Sequence, residues 1–561
     1  MTTTAERSQS TEAAAPYPRR WLAFVIMMAA AFMDLVDATV VNIALPTLRT
    51  DLGATYAQTQ WITAGYTLAF GLGLITGGRL GDRFGRKKIF LIGVVAFTTA
   101  SALCGLAVNP EMLIACRIFQ GASSALMMPQ IVAFVFATFP VKERGGAMGA
   151  YGAITGIATI VGPIMGGLLV TYSVFGLGWR AIFLINIPIG ILALIASTLF
   201  VPETRAKLAL RMDLIGALLI TLTLVLVLYP LVQGRESGWP QWMAYAMLAS
   251  PLVLIVYVLH ARRKQRRDGS PLVPLGLFRQ PGFAIGIIVI LLFDVVLIGY
   301  TLALSLSVQL GLDFSAIRSG LVYVPFAIGA GMATSVMDKL IGKMGRHVVS
   351  MGGLIMGAGI ALTALFVDTE TTMWGLWPIT FVAGLGLGFV IGTVATFAGA
   401  GVRAEDAGAA SGTMNAGGQI GAATGAALLA VIFFNVVTGA AGPNVDARDS
   451  QVRAELTAAG VPADAQTEIL AATRECIVQR MSASDPAVVP VACEQLPPPG
   501  TPEGDAVAAA VGKVAGAVKA GSFVDGLHTA CWWFAGLSVL LALLAQGLPR
   551  KVNYEAALAI H

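Results

Sequence analysis

The 561-residue chain carries 56% hydrophobic and only 12% charged side chains, with a mean hydropathy of +0.78. A soluble domain has about twice that charged fraction, so the apolar surplus must face something other than water, and a water-soluble globular protein is excluded. The net charge of +5 is modest and gathered in alternate loops, a pattern of membrane topology that argues against nucleic-acid binding.

A membrane-spanning helix needs about 20 mainly apolar residues. Qualifying runs begin near residues 21, 58, 88, 111, 146, 181, 213, 241, 283, 317, 347, 374, 407 and 527, which predicts fourteen spans. Residues 1–18 read as a disordered tail. The run after Arg19-Arg20 is too long for the core of an export signal, contains acids and is predicted to end at Pro46. Basic residues then occupy every second gap: Arg83 to Lys88, Lys142 to Arg144, Arg205 to Arg211, Arg262 to Arg267, Lys339 to His347, Arg403 and Arg550-Lys551. This alternation places both ends, including the tail 551–561, in the cytoplasm and favours an even number of spans.

The first run holds two carboxylates, Asp34 and Asp37, where an ionisable group costs about 2.5–3.5 kcal/mol at a helix centre, which points to function. They stand one helical turn apart on a shared face, an arrangement suited to carrying a proton. The gap after the second run reads Gly78-Arg79-Leu80-Gly81-Asp82-Arg83-Phe84-Gly85-Arg86-Lys87-Lys88. Its glycines suit a tight turn, and an acid among bases permits ion pairing that holds two helix ends in one state and frees them in another. In the fourth run Arg117 is the only charge between Met112 and Pro140. Asp37 lies nine residues from Pro46, about 13 Å, and Arg117 six from Glu111, about 9 Å. At similar depths, a pair of Asp37 with Arg117, direct or through water, would relieve both desolvation costs. The fifth run carries Gly149 and then Gly162-Pro163-Ile164-Met165-Gly166-Gly167, where glycine permits close helix approach and Pro163 is a candidate hinge.

The basic stretch Ala261 to Arg267, which precedes the proline-rich segment Pro271 to Pro281, reads as a topology determinant that also meets anionic headgroups, with a specific lipid site as the lesser alternative. Asp294, about twelve residues into its helix, is the only charge between Phe283 and Leu312. It is a candidate second proton site or cation contact, with a structural hydrogen bond as the rival role. Asn415 and Gln419, one turn apart in run thirteen, line a cavity or pack between helices; His347 and His528 are assigned no part in a proton path. Residues 436–525 fall outside the membrane and are predicted to form a small cap, helical over Gln451 to Met481 and Asp505 to Lys519. Cys476 and Cys493 lie in that segment and can form a disulfide in an oxidising compartment, whereas Cys104, Cys116 and Cys531 sit in apolar runs as small hydrophobes. There is no phosphate-binding loop and no Cys/His spacing for a metal, so no cofactor or metal is expected, and energy must come from an ion gradient or transport must be downhill.

Several of these motifs carry a family resemblance. The Gly78 to Lys88 loop resembles the signature loop of the major facilitator superfamily, and Arg117-Ile118-Phe119-Gln120-Gly121 matches that family's helix-four motif. The fifth run resembles the motif of its antiporters, with Ala158 in place of one glycine. Asp37-Ala38-Thr39 with Asn42 and Ala44-Leu45-Pro46, Trp179-Arg180 with Phe183, Asn186 and Pro188, and Asp213 with Gly216 resemble the fourteen-helix drug:proton antiporter branch. The likeness is dense over the first 220 or so residues and looser beyond, through Pro271 to Phe278, Gln309-Leu310-Gly311 and Gly408 to Gly425. In that register Asp37 is the motif acid and Asp34 is additional.

The resemblance implies an all-α integral membrane protein of the major facilitator fold, not an enzyme. Its N-terminal six-helix half (19–205) and C-terminal half (268–550) would flank two inserted helices (206–267). It implies a monomeric carrier in the cell membrane that exchanges protons for small lipophilic, cationic drugs or antibiotics by rocking its halves. Asp34, Asp37, Arg117 and Asp294 would couple protons. Asn42, Gln120, Gln309, Asn415 and Gln419 would line the substrate cavity. Gly78, Asp82, Arg83, Gly85, Arg86, Gly149, Gly162, Pro163, Gly166 and Gly167 would switch conformation. One proton crossing about 100 mV and one pH unit yields about 2.3 plus 1.4 kcal/mol, enough for a few-hundredfold substrate gradient. Export of a lipid or self-made metabolite, proton-coupled uptake, and a non-transporting receptor using the outer loop are the alternatives.

Overall fold

The computed structural model describes residues 17–173, 176–205, 213–234, 237–400, 402, 407–458, 461–482, 490–496 and 502–550. Both tails up to residue 16 and from 551, with Lys207, Arg211 and Arg403, lie outside the described residues. In lipid every backbone N–H and C=O must find its partner within its own segment, so the long apolar runs become helices. These are α1 (Arg20–Leu52), α2 (Tyr56–Phe84), α3 (Arg86–Gly105), α4 (Pro110–Thr138), α5 (Val141–Thr171), α6 (Ala181–Leu184) and α7 (Asn186–Phe200). There follow α8 (Leu214–Gln233), α9 (Gln241–Asp268), α10 (Pro281–Leu306), α11 (Ala316–Leu321), α12 (Tyr323–Met344), α13 (His347–Phe366), α14 (Met373–Gly399) and α15 (Ala407–Gly439). The outer segment supplies α16 (Ala441–Asp446), α17 (Asp449–Ala458) and α18 (Ala463–Ser482), and α19 (Pro502–Leu544) closes the chain. Starts and stops are local. Thr55 and Gln58 form a capping box at α2, Asn109 caps α4 ahead of Pro110, and Gly53 ends α1 in the left-handed region at φ +64°.

Two elements run longer than expected. α1 does not stop at Pro46 but continues to Leu52. A proline lacks only its own N–H, so the helix loses a single bond, the one the carbonyl of Asn42 would have accepted. That carbonyl is taken up instead by the Ser305 hydroxyl of α10, at 3.2 Å. α19 joins the expected cap segment Asp505 to Lys519 and the last span into one helix of 43 residues. At 1.5 Å per residue it is about 65 Å long, twice the hydrocarbon thickness, so its first half stands clear of a bilayer. Eleven segments among the described residues are long and apolar enough to cross a membrane, with shorter apolar stretches at Val161–Thr171 and Leu214–Pro230. α2, rich in glycine, threonine and glutamine, is not among the eleven.

The helices pack as two similar halves. In the first, α4 lies between α2 and α3, while α1 packs on α5 and α7. In the second, α14 lies between α12 and α13, while α10 packs on α15 and α19. The halves meet along α2 with α15 and α5 with α11. The inserted pair α8–α9 packs on itself and rests against α2 and α15, leaving Leu218, Leu248, Leu252 and Ile255 exposed as a lipid-facing surface. At the end opposite the Gly78 to Lys88 turn, α16, α17, α18 and the start of α19 bury Val445, Val452, Leu456, Ile477, Val507, Val514 and Val518 in a small core of their own. The Cys476–Cys493 disulfide and the Arg474–Asp446 and Lys513–Glu455 ion pairs tie this cap together. The Asp446 carboxylate beside it holds the Arg474 guanidinium further up than usual.

Candidate functional site

The first half encloses a cluster of buried polar groups drawn from five helices. Asp37 is fully buried, and Arg117 Nη1 of α4 lies 2.5 Å from its Oδ2. Gln120, one turn further on α4, donates to Asp37 Oδ1 at 3.0 Å and accepts from Arg117 Nη1 at 2.7 Å. Asn186, the first residue of α7, donates to the same Asp37 oxygen at 2.8 Å and to Ser101 Oγ of α3 at 2.9 Å. Ser101 in turn donates to the Phe183 carbonyl at 2.9 Å, and Arg117 Nε donates to the Ile62 carbonyl of α2 at 3.2 Å. Every strong donor in this shell therefore has an acceptor, as burial demands. Asp34, also buried, has a different partner: the Tyr66 hydroxyl of α2, 2.6 Å from its Oδ1.

Small residues set the distances. A Cβ on Gly121 would strike the Tyr66 carbonyl, and one on Gly162 would strike the Thr39 side chain, so only glycine lets α4 and α5 approach α2 and α1 this closely. Gly166 meets Val40 and Ile43 of α1 in the same way, Gly167 is buried beside it, and α5 runs unbroken through Pro163. Gly149 lies in the same helix.

The other residues singled out from the sequence lie elsewhere. Asn42, through its carbonyl, meets Ser305, whose Oγ accepts from Gln309 Nε2 at 3.0 Å. Gln309 belongs to a short π-helix, Ser307–Gly311, that continues α10, and the Asn42 Oδ1 is buried with no hydrogen-bond partner among the described residues. Gln419 packs against Gly71 of α2 at the seam between the halves, one turn from an exposed Asn415. Asp294 of α10 lies partly buried, its carboxylate against Gly418 and its Cβ against Gly421 of α15. Asp34, Asp37, Arg117 and Gln120 are thus brought together, whereas Asp294 stands apart in the second half.

In the turn between α2 and α3, Asp82 pairs with Arg86 at 2.8 Å, and Arg86 also donates to the Ala133 carbonyl of α4. Gly85 adopts φ +109°, a conformation that favours glycine, and Gly78 sits near Pro129. The Glu203 carboxylate accepts the backbone N–H groups of Lys87 and Lys88, at the positive end of α3. Arg83 is exposed, its guanidinium over the Phe84 ring.

Four side chains form a clasp; Arg79 and Asp213 stand in motifs read from the sequence, but their joining with Tyr257 and His260 is not legible there. Arg79 donates to the carbonyls of Ser270, Pro271 and Leu272, the segment that leads from α9 to the second half. Asp213, at the start of α8, accepts the N–H groups of Gly216 and Leu272 and lies 2.7 Å from His260 Nε2 of α9. The Tyr257 hydroxyl accepts the Val273 N–H. Burial pushes the Asp213 carboxyl up, but the hydrogen bonds from His260, Gly216 and Leu272 outweigh it and hold the group below the usual carboxylate range. Tyr66 and Ser101 escaped notice because tyrosine and serine are ordinary in apolar helices, and Arg79, one base among many, carries no signal of its own within its motif.

An all-helical molecule with a buried, fully bonded charge cluster inside one of two similar halves is a polytopic membrane carrier. The chain matches the profile of the Major Facilitator Superfamily over residues 27–426 and belongs to that family, whose members are transporters and not enzymes. It is 39% identical over 544 residues to a probable actinorhodin transporter of Streptomyces coelicolor, covering 96% of this chain and 93% of that one. It is 36% identical to the puromycin resistance protein pur8 of Streptomyces alboniger, over 74% of this chain and 82% of that one. A tetracenomycin C resistance and export protein of Streptomyces glaucescens is 32% identical over 74% and 76%. Among solved structures, a bacterial homologue of the human lysosomal transporter Spinster, inward-facing and occupied, superposes with a TM-score of 0.60 at 15% identity. That likeness covers 94% of this chain and 97% of the other and concerns the fold.

Proposed function

We propose that this transporter exports lipophilic drugs or antibiotics, cationic ones among them, in exchange for protons. The names of the relatives, which speak of resistance, export and an antibiotic transporter, support the efflux direction. The observation that carries proton coupling is the composition of the buried cluster: two carboxylates, Asp34 and Asp37, against one guanidinium, Arg117. With both acids ionised the cluster holds one net negative charge in a medium of low dielectric, and a single bound proton makes it neutral. Such a site has one exchangeable proton built into its charge count. Asp294, alone in the second half, is the further candidate for a proton or a cationic substrate group.

In this reading residues 19–205 and 268–550 are the rocking halves, 206–267 the inserted pair, and the basic end with both termini faces the cytoplasm of a cell membrane. Protons enter from the cap side and neutralise the cluster. The Asp37–Arg117 pair then loosens, α1 shifts against α4, and the halves rock. Asn42, Gln309, Asn415 and Gln419 edge the path between the halves, and Gln120 serves as part of the cluster.

The test is proton movement across proteoliposomes holding the purified protein, followed with a trapped pH dye on addition of ethidium under an imposed gradient. Proton flux opposite to the dye is expected. Asp34→Asn and Asp37→Asn are expected to abolish that flux while inserting normally; wild-type flux in both variants would discard the assignment.

A further inference from the structure

Asp34 is the acid that departs from the family pattern, and the geometry explains how it is attached to the rest of the cluster. Tyr66 is 4% exposed and touches both acids' machinery at once. Its hydroxyl donates to Asp34 Oδ1 at 2.6 Å, and the Arg117 Cζ stands 4.1 Å from the centre of its ring. Arg117 in turn pairs with Asp37. The backbone at this point is pinned, because Gly121 lets α4 rest directly on the Tyr66 carbonyl and Arg117 Nε bonds the carbonyl of Ile62 one turn earlier. Only the side chain is left to move. Phe70, one turn further along α2, stacks on the ring.

We propose that Tyr66 is a positioning residue that transmits the charge state of Asp34 to the Arg117–Asp37 pair. This rests on the antiport reading above. While Asp34 is ionised, the short charge-assisted bond from the phenol fixes the ring under the guanidinium, where the ring face attracts the cation. Once Asp34 takes a proton, that bond weakens to a neutral one and the ring is released. The guanidinium then loses the ring from among its restraints and moves with α4. The added acid is thereby tied to the motif acid through a single side chain.

Two substitutions separate the two contacts. Tyr66→Phe keeps the ring and removes the hydroxyl; Tyr66→Leu removes both. Proteoliposomes carrying the full chain are assayed for protons moved per ethidium and, separately, for ethidium exchange at zero proton gradient. For Tyr66→Phe the proton-to-dye ratio should fall about tenfold, the worth of one hydrogen bond to a charged group, while exchange stays within about twofold. Asp34→Asn, which cannot take up the proton at all, should abolish proton flux, a deeper loss than that of Tyr66→Phe. Tyr66→Leu should lose exchange as well, because Arg117 has lost its platform. A wild-type proton-to-dye ratio in Tyr66→Phe overturns the proposal, as does equal loss of both activities in the two Tyr66 variants, which marks a plain structural role. A wild-type protein that moves dye without protons overturns the antiport reading and the role of Tyr66 with it.

Discussion

Arg117 is held by three acceptors at once, the Asp37 carboxylate, the Gln120 amide oxygen and the Ile62 carbonyl, and only a planar fork of donors reaches all three. Arg117→Lys should therefore behave as a loss, with proton-coupled flux down at least about tenfold, because an ammonium cannot replace the lateral bonds. Arg117→Ala leaves Asp37 buried without its cation and should destabilise the protein by about 3–5 kcal/mol. Adding Asp37→Asn to Arg117→Gln should recover most of that stability, read as thermal unfolding in detergent, and none of the flux. Much of this cluster is legible in sequence for one reason: a charge in a long apolar run is rare, so Asp34, Asp37 and Arg117 stand out, and helix rise then puts two of them at one depth. Tyr66, Ser101 and Asn186 carry no such rarity. Which faces of α2, α3 and α7 turn toward Asp37 depends on packing, and that is decided by contacts far apart in the chain.

Among the elements, the inserted pair is joined to the first half more firmly than its place in the sequence suggests. Leu272 is held from both sides, its carbonyl by Arg79 of α2 and its N–H by Asp213 of α8. The start of the linker thus belongs mechanically to the first half, and the short helix Leu275–Arg279, whose Leu277 packs with Phe283 of the second half, begins just beyond Val273. Arg79→Ala removes three bonds to buried carbonyls and should cost about 2–3 kcal/mol. It should also make the 268–274 segment accessible to protease, while leaving ethidium binding in place. Acid should act on the clasp in one direction. The Asp213 carboxyl sits below its ordinary range when folded, so its contribution is complete above about pH 4 and is lost as the pH falls through the folded value. Limited proteolysis of the linker should accordingly be unchanged on Asp213's account between pH 5 and 8 and rise only under stronger acid. The motif residues Asp213 and Gly216 were visible in the sequence, but their partner at Leu272 was not, because nothing local couples residues so far apart.

At the scale of the whole molecule the cap is a folded appendage with its own core, joined to the carrier by α19 and by contacts such as Lys519 with Asp313. Cys476 and Cys493 close a loop with a sequence separation of 17, worth about 3 kcal/mol by chain entropy. Replacing both with serine should make the cap protease-sensitive and leave dye-driven proton flux within about twofold. Excising 440–520 as a block, which also removes the apolar strip Val507, Val514 and Val518, should likewise spare flux; loss of transport there would give the cap a part in the cycle. Composition made the position of this cap evident, whereas the continuity of α19 was hidden, since the alanine-rich and the apolar parts of that helix differ too much in hydropathy to read as one element.

The proline at position 46 has a consequence that extends beyond its own helix. By withholding one N–H it leaves a main-chain acceptor at Asn42, and the opposite half of the protein supplies the donor through Ser305. A contact made by a backbone carbonyl cannot be erased by changing the side chain that stands there. Asn42→Ala should keep it, and Pro46→Ala, four residues away, should remove it by closing the helix on itself. The grip between the halves is in this sense encoded at a residue that takes no part in it, and a scan for function that substitutes only the touching side chains would pass it by.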